Sequence, residues 1–182
     1  MSAAPAAKAP KVLTEQERAH AQELLKRARA AMDAIAGYDQ ASVDRLCRAI
    51  GWAGGNLTTA TRLANMSVDE SGMGGREPTR RAKVQGVLRD ALRQKSVGII
   101  EEIPEKGIVK YAKPAGVIAS LVPVTSPYVT PITTAIYAVK CANAVIFSPH
   151  PASRRTTAET IRVMRAALKQ AGAPEDLSLI HI

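Results

Sequence analysis

Apolar positions recur at helical spacing through the first half of the chain and then give way to short, nearly continuous apolar runs. Thr14 and Glu17 stand in the Thr-x-x-Glu order of a capping box, which predicts a helix from there to about Ala36, stopped by Gly37. Its inward stripe is expected to be Ala21, Leu24, Leu25, Ala28, Met32 and Ile35. A second helix should begin near Ser42, bury Val43, Leu46, Ile50 and Ala53, and break at Gly54-Gly55-Asn56. A third is predicted over 57–70, ending in the glycine-rich stretch 71–75. The fourth has the clearest pattern: Val84, Val87, Leu88, Ala91 and Leu92 fall on one face of a 3.6-residue period, with Arg80, Arg81, Lys83, Arg89 and Arg93 mostly off it.

After Ser96 the period shortens. The β-type runs 97–103 and 108–112 flank Glu105-Lys106-Gly107, a composition that predicts a hairpin. Residues 117–122 form an unbroken apolar run, expected of a strand buried on both faces. Val129, Ile132, Ile136 and Val139 mark a helix with Pro131 in its first turn, and 144–147 reads as a second buried strand. Ile161, Met164, Leu168 and Ala171 mark a last helix, stopped by Gly172 and Pro174. Strand, helix and strand over 114–151 make one βαβ unit. The expected fold class is α/β: N-terminal helices and a β-hairpin leading into the first βαβ unit of a parallel sheet. Such a sheet needs more units than these residues supply, so it is expected to be truncated.

Composition narrows the partners. A net charge of +9 permits anionic ligands. Aromatics are only 3% of the chain and scattered, which argues against base stacking and so against nucleic acid. The bland account of the charge is solvated helix faces. Cys47 and Cys141 have no metal-ligand spacing and no paired framework, as suits a reduced cytoplasmic protein. No apolar run approaches a membrane span, and residues 1–13 read as a flexible tail without an apolar signal core.

Chemistry is expected in two loops. In open α/β sheets ligands sit beyond the carboxyl ends of the strands. Pro123-Val124-Thr125-Ser126-Pro127 follows the first strand and offers hydroxyls and a helix N-terminus, which attracts anionic groups. An ordinary strand-to-helix turn explains it equally well, with Ser and Thr as caps. Ser148-Pro149-His150-Pro151 holds the equivalent place one unit along, so both loops should face one crevice. His150 reads either as a ligand contact or as an exposed or capping residue, and Arg154 and Arg155 either as phosphate partners or as solvated charges. No Gly-x-Gly-x-x-Gly fingerprint follows either strand. Both cysteines are expected to be buried structural thiols.

Four stretches carry a family resemblance: 65–74 (NMSVDESGMG), 114–118 (PAGVI), 122–127 (VPVTSP) and 143–151 (NAVIFSPHP). Over residues 14–177 the chain resembles the aldehyde dehydrogenase superfamily and its CoA-acylating branch, acetaldehyde and sulfoacetaldehyde dehydrogenases among them. The Ser-Pro-His-Pro sequence stands where hydrolytic members show a Lys-Pro-Ser pattern. The resemblance implies an aldehyde-dehydrogenase-type sheet and oxidation of an aldehyde by NAD or NADP, through a cysteine thioester, with CoA as co-substrate. It implies that Val122, Pro123, Val124 and Thr125 line the cofactor and aldehyde crevice. Thr125 stands where hydrolytic members place an oxyanion-stabilising Asn. It implies that Ser148, Pro149 and His150 border the adenosine ribose. Ser126 departs from the Asn common in the branch, and Ser148 removes a Lys partner for a 2′-phosphate, which leans toward NAD.

The implied organisation is a tail over 1–13, a helical region and hairpin over 14–113, and the first part of the nicotinamide-cofactor domain over 114–177. Residues 178–182 do not continue the pattern and are read as a non-native end. The family's catalytic Cys and its glycine-containing cofactor turn are expected beyond residue 182, so no catalytic residue is assigned here except a possible oxyanion or substrate contact at Thr125. No metal is expected. The partners implied are a small aldehyde and CoA, without nucleic acid or membrane, in a homo-oligomeric cytoplasmic parent. The alternative is a self-contained, non-enzymatic nucleotide-binding module or docking fragment. These 182 residues alone are expected to oxidise no aldehyde.

Overall fold

The computed structural model describes residues 13–76 and 78–181. The expected tail lies outside them except for Leu13, as does Ile182. Four helices come first: α1 (Glu15–Ala34), α2 (Gln40–Gly55), α3 (Leu57–Ser71) and α4 (Arg81–Leu92). The hairpin β1 (Gly98–Ile103) and β2 (Ile108–Ala112) follows. The βαβ unit is β3 (Val117–Val122), α5 (Val129–Lys140) and β4 (Ala144–Pro149), and α6 (Arg154–Gln170) leads to β5 (Ser178–Ile180). The last three strands make one sheet in the order β3-β4-β5, parallel throughout. This is the α/β class that the pattern predicts.

Local chemistry explains most boundaries. The capping box at α1 is formed: the Glu17 backbone N–H donates to Thr14 Oγ1 at 3.2 Å, and the Thr14 N–H donates to Glu17 Oε2 at 2.9 Å. Asn56 serves two helices at once. Its Nδ2 donates to the Trp52 carbonyl that ends α2, while its Oδ1 accepts the Thr59 N–H that begins α3. Gly72 ends α3 in the left-handed conformation, at φ 68°.

Side-chain period fixes the buried face less well than it fixes the helices. In α1 the buried residues are Leu24, Ala28 and Ala31, with Ile35 just beyond; Ala21 is exposed, and Leu25 and Met32 are half-buried. The predicted break at Gly54-Gly55-Asn56 falls at Asn56. Both glycines lie inside α2 and are buried, because α4 and α5 press against that face. A Cβ on Gly54 would stand 2.4 Å from Ile132 Cδ1, and one on Gly51 would stand 2.8 Å from Leu88 Cδ2. Glycine here is a packing residue.

The expectation that β3 is buried on both faces fails. Ala119 and Leu121 are exposed, Leu121 at 82%. They share one side of the pleat, and no element among the described residues packs over them there. β4 is central and its Ala144, Val145 and Phe147 are buried as expected. The crossover helix α5 is buried nearly all round, from Val129 through Lys140. Its last residue, Lys140, pairs in the interior with Asp44 of α2, and its carbonyl accepts the Ser96 hydroxyl at 2.5 Å. Ser96 N–H donates in turn to Gln40 Oε1 at 2.8 Å, which fixes the start of the hairpin. Beyond that anchor β1 and β2 are mostly exposed.

Behind β5, Asp176 takes Arg27 from α1 and Arg165 from α6, each at 2.7 Å. Residues 178–180 extend the sheet, and Ser178 Oγ is the one buried side-chain polar atom without a hydrogen-bond partner among the described residues.

Gly54→Ala should destabilise the fold by about 1–3 kcal/mol, the cost of overpacking. Gly86→Ala should stabilise it by about 0.5–1 kcal/mol, since that helical glycine meets nothing within 4 Å. Urea unfolding of both variants checks the pair. Changes of the same sign would contradict the packing account of Gly54.

Candidate functional site

The parallel register brings the two candidate loops together. Val122 pairs with Pro149 and Leu121 with Ser148, so both strands end level. The His150 backbone N–H donates to the Val122 carbonyl at 3.0 Å, joining the second loop to the end of the first strand. Val122 is buried, Val124, Ser148 and Pro149 are half-buried, and Pro123, Thr125 and His150 are exposed. These seven positions form a continuous rim at the carboxyl end of the sheet, where a crevice ligand would lie.

The two loops differ in how their helix starts are capped. At α5 no side chain caps the helix start. Ser126 N–H turns back to the Pro123 carbonyl at 3.3 Å, and the Thr130 N–H bonds the Ser126 carbonyl. At the second loop His150 is itself a cap: its Nδ1 accepts the Ala152 N–H at 3.1 Å. That fixes the tautomer, since a neutral ring accepting at Nδ1 carries its proton on Nε2. The exposed ring therefore presents a donor.

The N-terminus of α6, next to His150, is already occupied. Glu70, near the end of α3, accepts the Arg155 N–H, the Thr156 N–H and the Thr156 hydroxyl, each at 2.7 Å. Burial opposes its charge, but these bonds and the Arg155 charge outweigh burial and hold the carboxyl below the usual range. A phosphate would have to displace Glu70 to use the backbone N–H groups of that helix end.

Three functional neighbours escaped sequence reasoning. Glu70 sits inside the 65–74 stretch, but nothing in its spacing announces a cap on a helix more than eighty residues away. Thr157 is fully buried and its hydroxyl donates to the Pro127 carbonyl at 3.3 Å, bracing the first loop from α6. Arg80 donates through Nη1 to the Thr125 carbonyl and to Ser126 Oγ, the latter at 2.7 Å. Beside this contact is a recess of about 30 Å³ whose lining includes Ser67, Thr79, Arg80, Thr125 and Tyr128. Burial pushes the Tyr128 phenol up against the opposing influence of Arg80, so it keeps its proton.

Other motif residues work elsewhere. Asn143 Oδ1 accepts the Gly116 N–H at 2.8 Å and ties β3 to β4 at their amino ends, opposite the site. Cys47 is sealed in the core, and burial pushes its thiol up to about 12. Cys141 is half-buried at the end of α5 and lines a cleft of about 430 Å³ with Ala91, Ala112 and Tyr137. That cleft is roomier and more apolar than the recess by Thr125, and it lies at the amino ends of the strands, away from the two loops. Among the described residues, no cluster of three His, Cys, Asp or Glu is placed to hold a metal ion, and no helix is long and apolar enough to cross a membrane.

Residues 3–180 match the model of the aldehyde dehydrogenase family. A sulfoacetaldehyde dehydrogenase from Acholeplasma sp. is 44% identical over 156 residues, 84% of this chain and 32% of that protein. A succinate-semialdehyde dehydrogenase (acetylating) from Clostridium kluyveri is 38% identical, over 85% of this chain and 34% of that protein. Among solved structures, an acetylating aldehyde dehydrogenase from Geobacillus thermoglucosidasius superposes with a TM-score of 0.81 at 33% identity, covering 91% of this chain and 37% of its own. The chain thus spans about a third of the length of the relatives it matches.

Glu70→Ala should cost about 1–2 kcal/mol at pH 7, as loss of a helix cap does. The carboxyl is depressed in the folded state, so its contribution is present above the ordinary value of about 4.3 and is lost as pH falls below it. Unfolding free energies of Glu70→Ala and the parent should therefore converge in acid. A gap that stays constant to pH 3 would show that the charge is not what holds α6.

Proposed function

The chain belongs to the aldehyde dehydrogenase family, and on that premise we propose that the protein carrying these residues oxidises an aldehyde to an acyl-CoA thioester, with NAD(P)+ reduced. The observation that supports this most is the pairing of two loops, 122–127 and 148–151, at level strand ends in a chain close in sequence to acylating dehydrogenases. The binding-module alternative is not favoured, because the relatives are dehydrogenases about three times as long as the matched segment.

Val122, Pro123, Val124 and Thr125 form the wall facing the nicotinamide and the aldehyde. The Thr125 side chain is free of intramolecular hydrogen bonds among the described residues, so its hydroxyl is available to donate to the oxygen that gains charge as a thiolate adds. Arg80 and Thr157 hold the loop through the carbonyls of Thr125 and Pro127, leaving that hydroxyl exposed. Ser148, Pro149 and His150 border the adenosine ribose. The residues fit this end of a dinucleotide: a hydroxyl at Ser148, a proline wall, and an Nε2–H donor at His150 whose ring is already oriented by the Ala152 N–H. They do not offer the α6 N-terminus to a diphosphate, since Glu70 fills it. Ser148 brings no positive charge to the ribose, which favours NAD over NADP. Bound NAD(P)+ supplies the hydride acceptor, and CoA takes the acyl group.

The nucleophile is a cysteine outside these residues. Cys47 is excluded by burial and a thiol pushed up to about 12, Cys141 by its place at the far end of the strands. The same proposal makes the whole protein a cytoplasmic homo-oligomer, with the exposed hairpin offering unpaired strand edges for subunit contact.

The whole protein should form NAD(P)H from an aldehyde only when CoA is present, and residues 1–182 alone should form none. Thr125→Ala in the whole protein should lower kcat about a hundredfold, the usual cost of losing an oxyanion donor, with little change in the KM for CoA. NAD(P)H formation by the 182 residues alone, or an unaffected Thr125→Ala, would contradict the assignment.

A further inference from the structure

Arg80 carries a charge that the acylation chemistry above does not use. It stands just ahead of α4, against the loop that follows β3. Among the described residues it has no carboxylate partner, and its hydrogen bonds all leave from Nη1. The Nε proton and both Nη2 protons are therefore uncommitted. A guanidinium held in place by one nitrogen, with its other donors free, is a pre-oriented receptor for an anion.

The surroundings restrict which anion. Arg80 lines the recess of about 30 Å³ together with the hydroxyl residues Ser67, Thr79, Thr125 and Tyr128 and with residues 73–75. A space of that size admits one small polar group and not a nucleotide or a pantetheine arm. It adjoins Thr125, the residue assigned to the aldehyde oxygen, so an anion seated there belongs to a molecule whose carbonyl lies only a few bonds away. Ser126 matters in the same way. Its small side chain gives Arg80 a second anchor, where a bulkier residue would occupy the approach.

We propose that Arg80 reads the anionic end of the aldehyde substrate, a sulfonate or carboxylate separated from the carbonyl by a short carbon chain. The inference rests on the acylating reading above and adds the substrate class to it. Two or more N–H donors face the oxygens of the head group, and a neutral aldehyde of equal length leaves them solvated. Lysine at this position would supply the charge without the planar two-point geometry. The phosphates of CoA are the competing source of negative charge.

The test uses the whole enzyme and measures kcat/KM for sulfoacetaldehyde and succinate semialdehyde against propionaldehyde and butyraldehyde, with the KM for CoA alongside. Arg80→Met should reduce the anionic-to-neutral ratio of kcat/KM by about ten- to a hundredfold, the range for a charge-assisted hydrogen bond. Arg80→Lys should fall between. Arg80→Gln keeps a donor for the Thr125 carbonyl and removes the charge, so it should lower the ratio too; this separates charge from loop support. An equal fall for both substrate kinds would overturn the inference and leave Arg80 a loop tether. An unchanged ratio with a raised KM for CoA would overturn it in favour of CoA phosphate binding. A wild-type enzyme that turns over neutral aldehydes at least as well as anionic ones would also overturn it. Wild-type enzyme inactive on every aldehyde would instead sink the acylating reading on which it rests.

Discussion

The level, parallel pairing of β3 with β4 is the constraint on which the rest of this structure depends. Parallel strands cannot be joined by a tight turn, so a crossover helix must carry the chain back. Here that helix is α5, and it is buried on nearly every side. A helix so enclosed must be met closely by its neighbours. The glycines of α2 permit that approach at Ile132 and, on α4, at Leu88. The placement of the loops follows from the same constraint: because Val122 and Pro149 are register partners, the loops after them leave the same end of the sheet side by side.

Polar contacts then adjust what packing has placed. Each end of the βαβ unit is tied by an interaction between distant segments. At the amino ends, Asn143 bonds the Gly116 backbone. At the carboxyl ends, His150 bonds the Val122 carbonyl, Thr157 braces Pro127 and Arg80 braces Thr125. Glu70 fastens α3 to the start of α6. The 65–74 and 143–151 stretches, separate in sequence, thus become one structural unit around the second loop. Both stretches therefore serve helix capping and strand alignment.

The seven rim positions differ in what they contribute. Val122 and Pro149 are wall and scaffold, while Thr125 and His150 present polar atoms outward. His150 caps through Nδ1, which fixes the proton on Nε2 and so defines the donor that remains. Arg80 follows the same logic, with one nitrogen spent on the loop and the others left over.

Helix and strand existence was legible because it is local. The capping box at Thr14, the 3.6-residue face of α4 and the Gly107 turn of the hairpin all depend on residues within one or two turns of each other. The two loops were legible too, through strand order and the family pattern. What the sequence could not determine was anything that depends on who packs against whom. Gly54 reads as a helix breaker until Ile132 is seen beside it. The apolar run 117–122 reads as doubly buried, yet Leu121 is exposed because nothing among the described residues packs on its face, and which faces are covered is a property of the whole fold. Glu70, Thr157 and Arg80 look like ordinary surface or helix residues until a fold brings them to a helix end or a loop carbonyl. Periodicity encodes how a segment hides its own apolar side; the identity of its neighbour is settled only when the whole chain closes around α5.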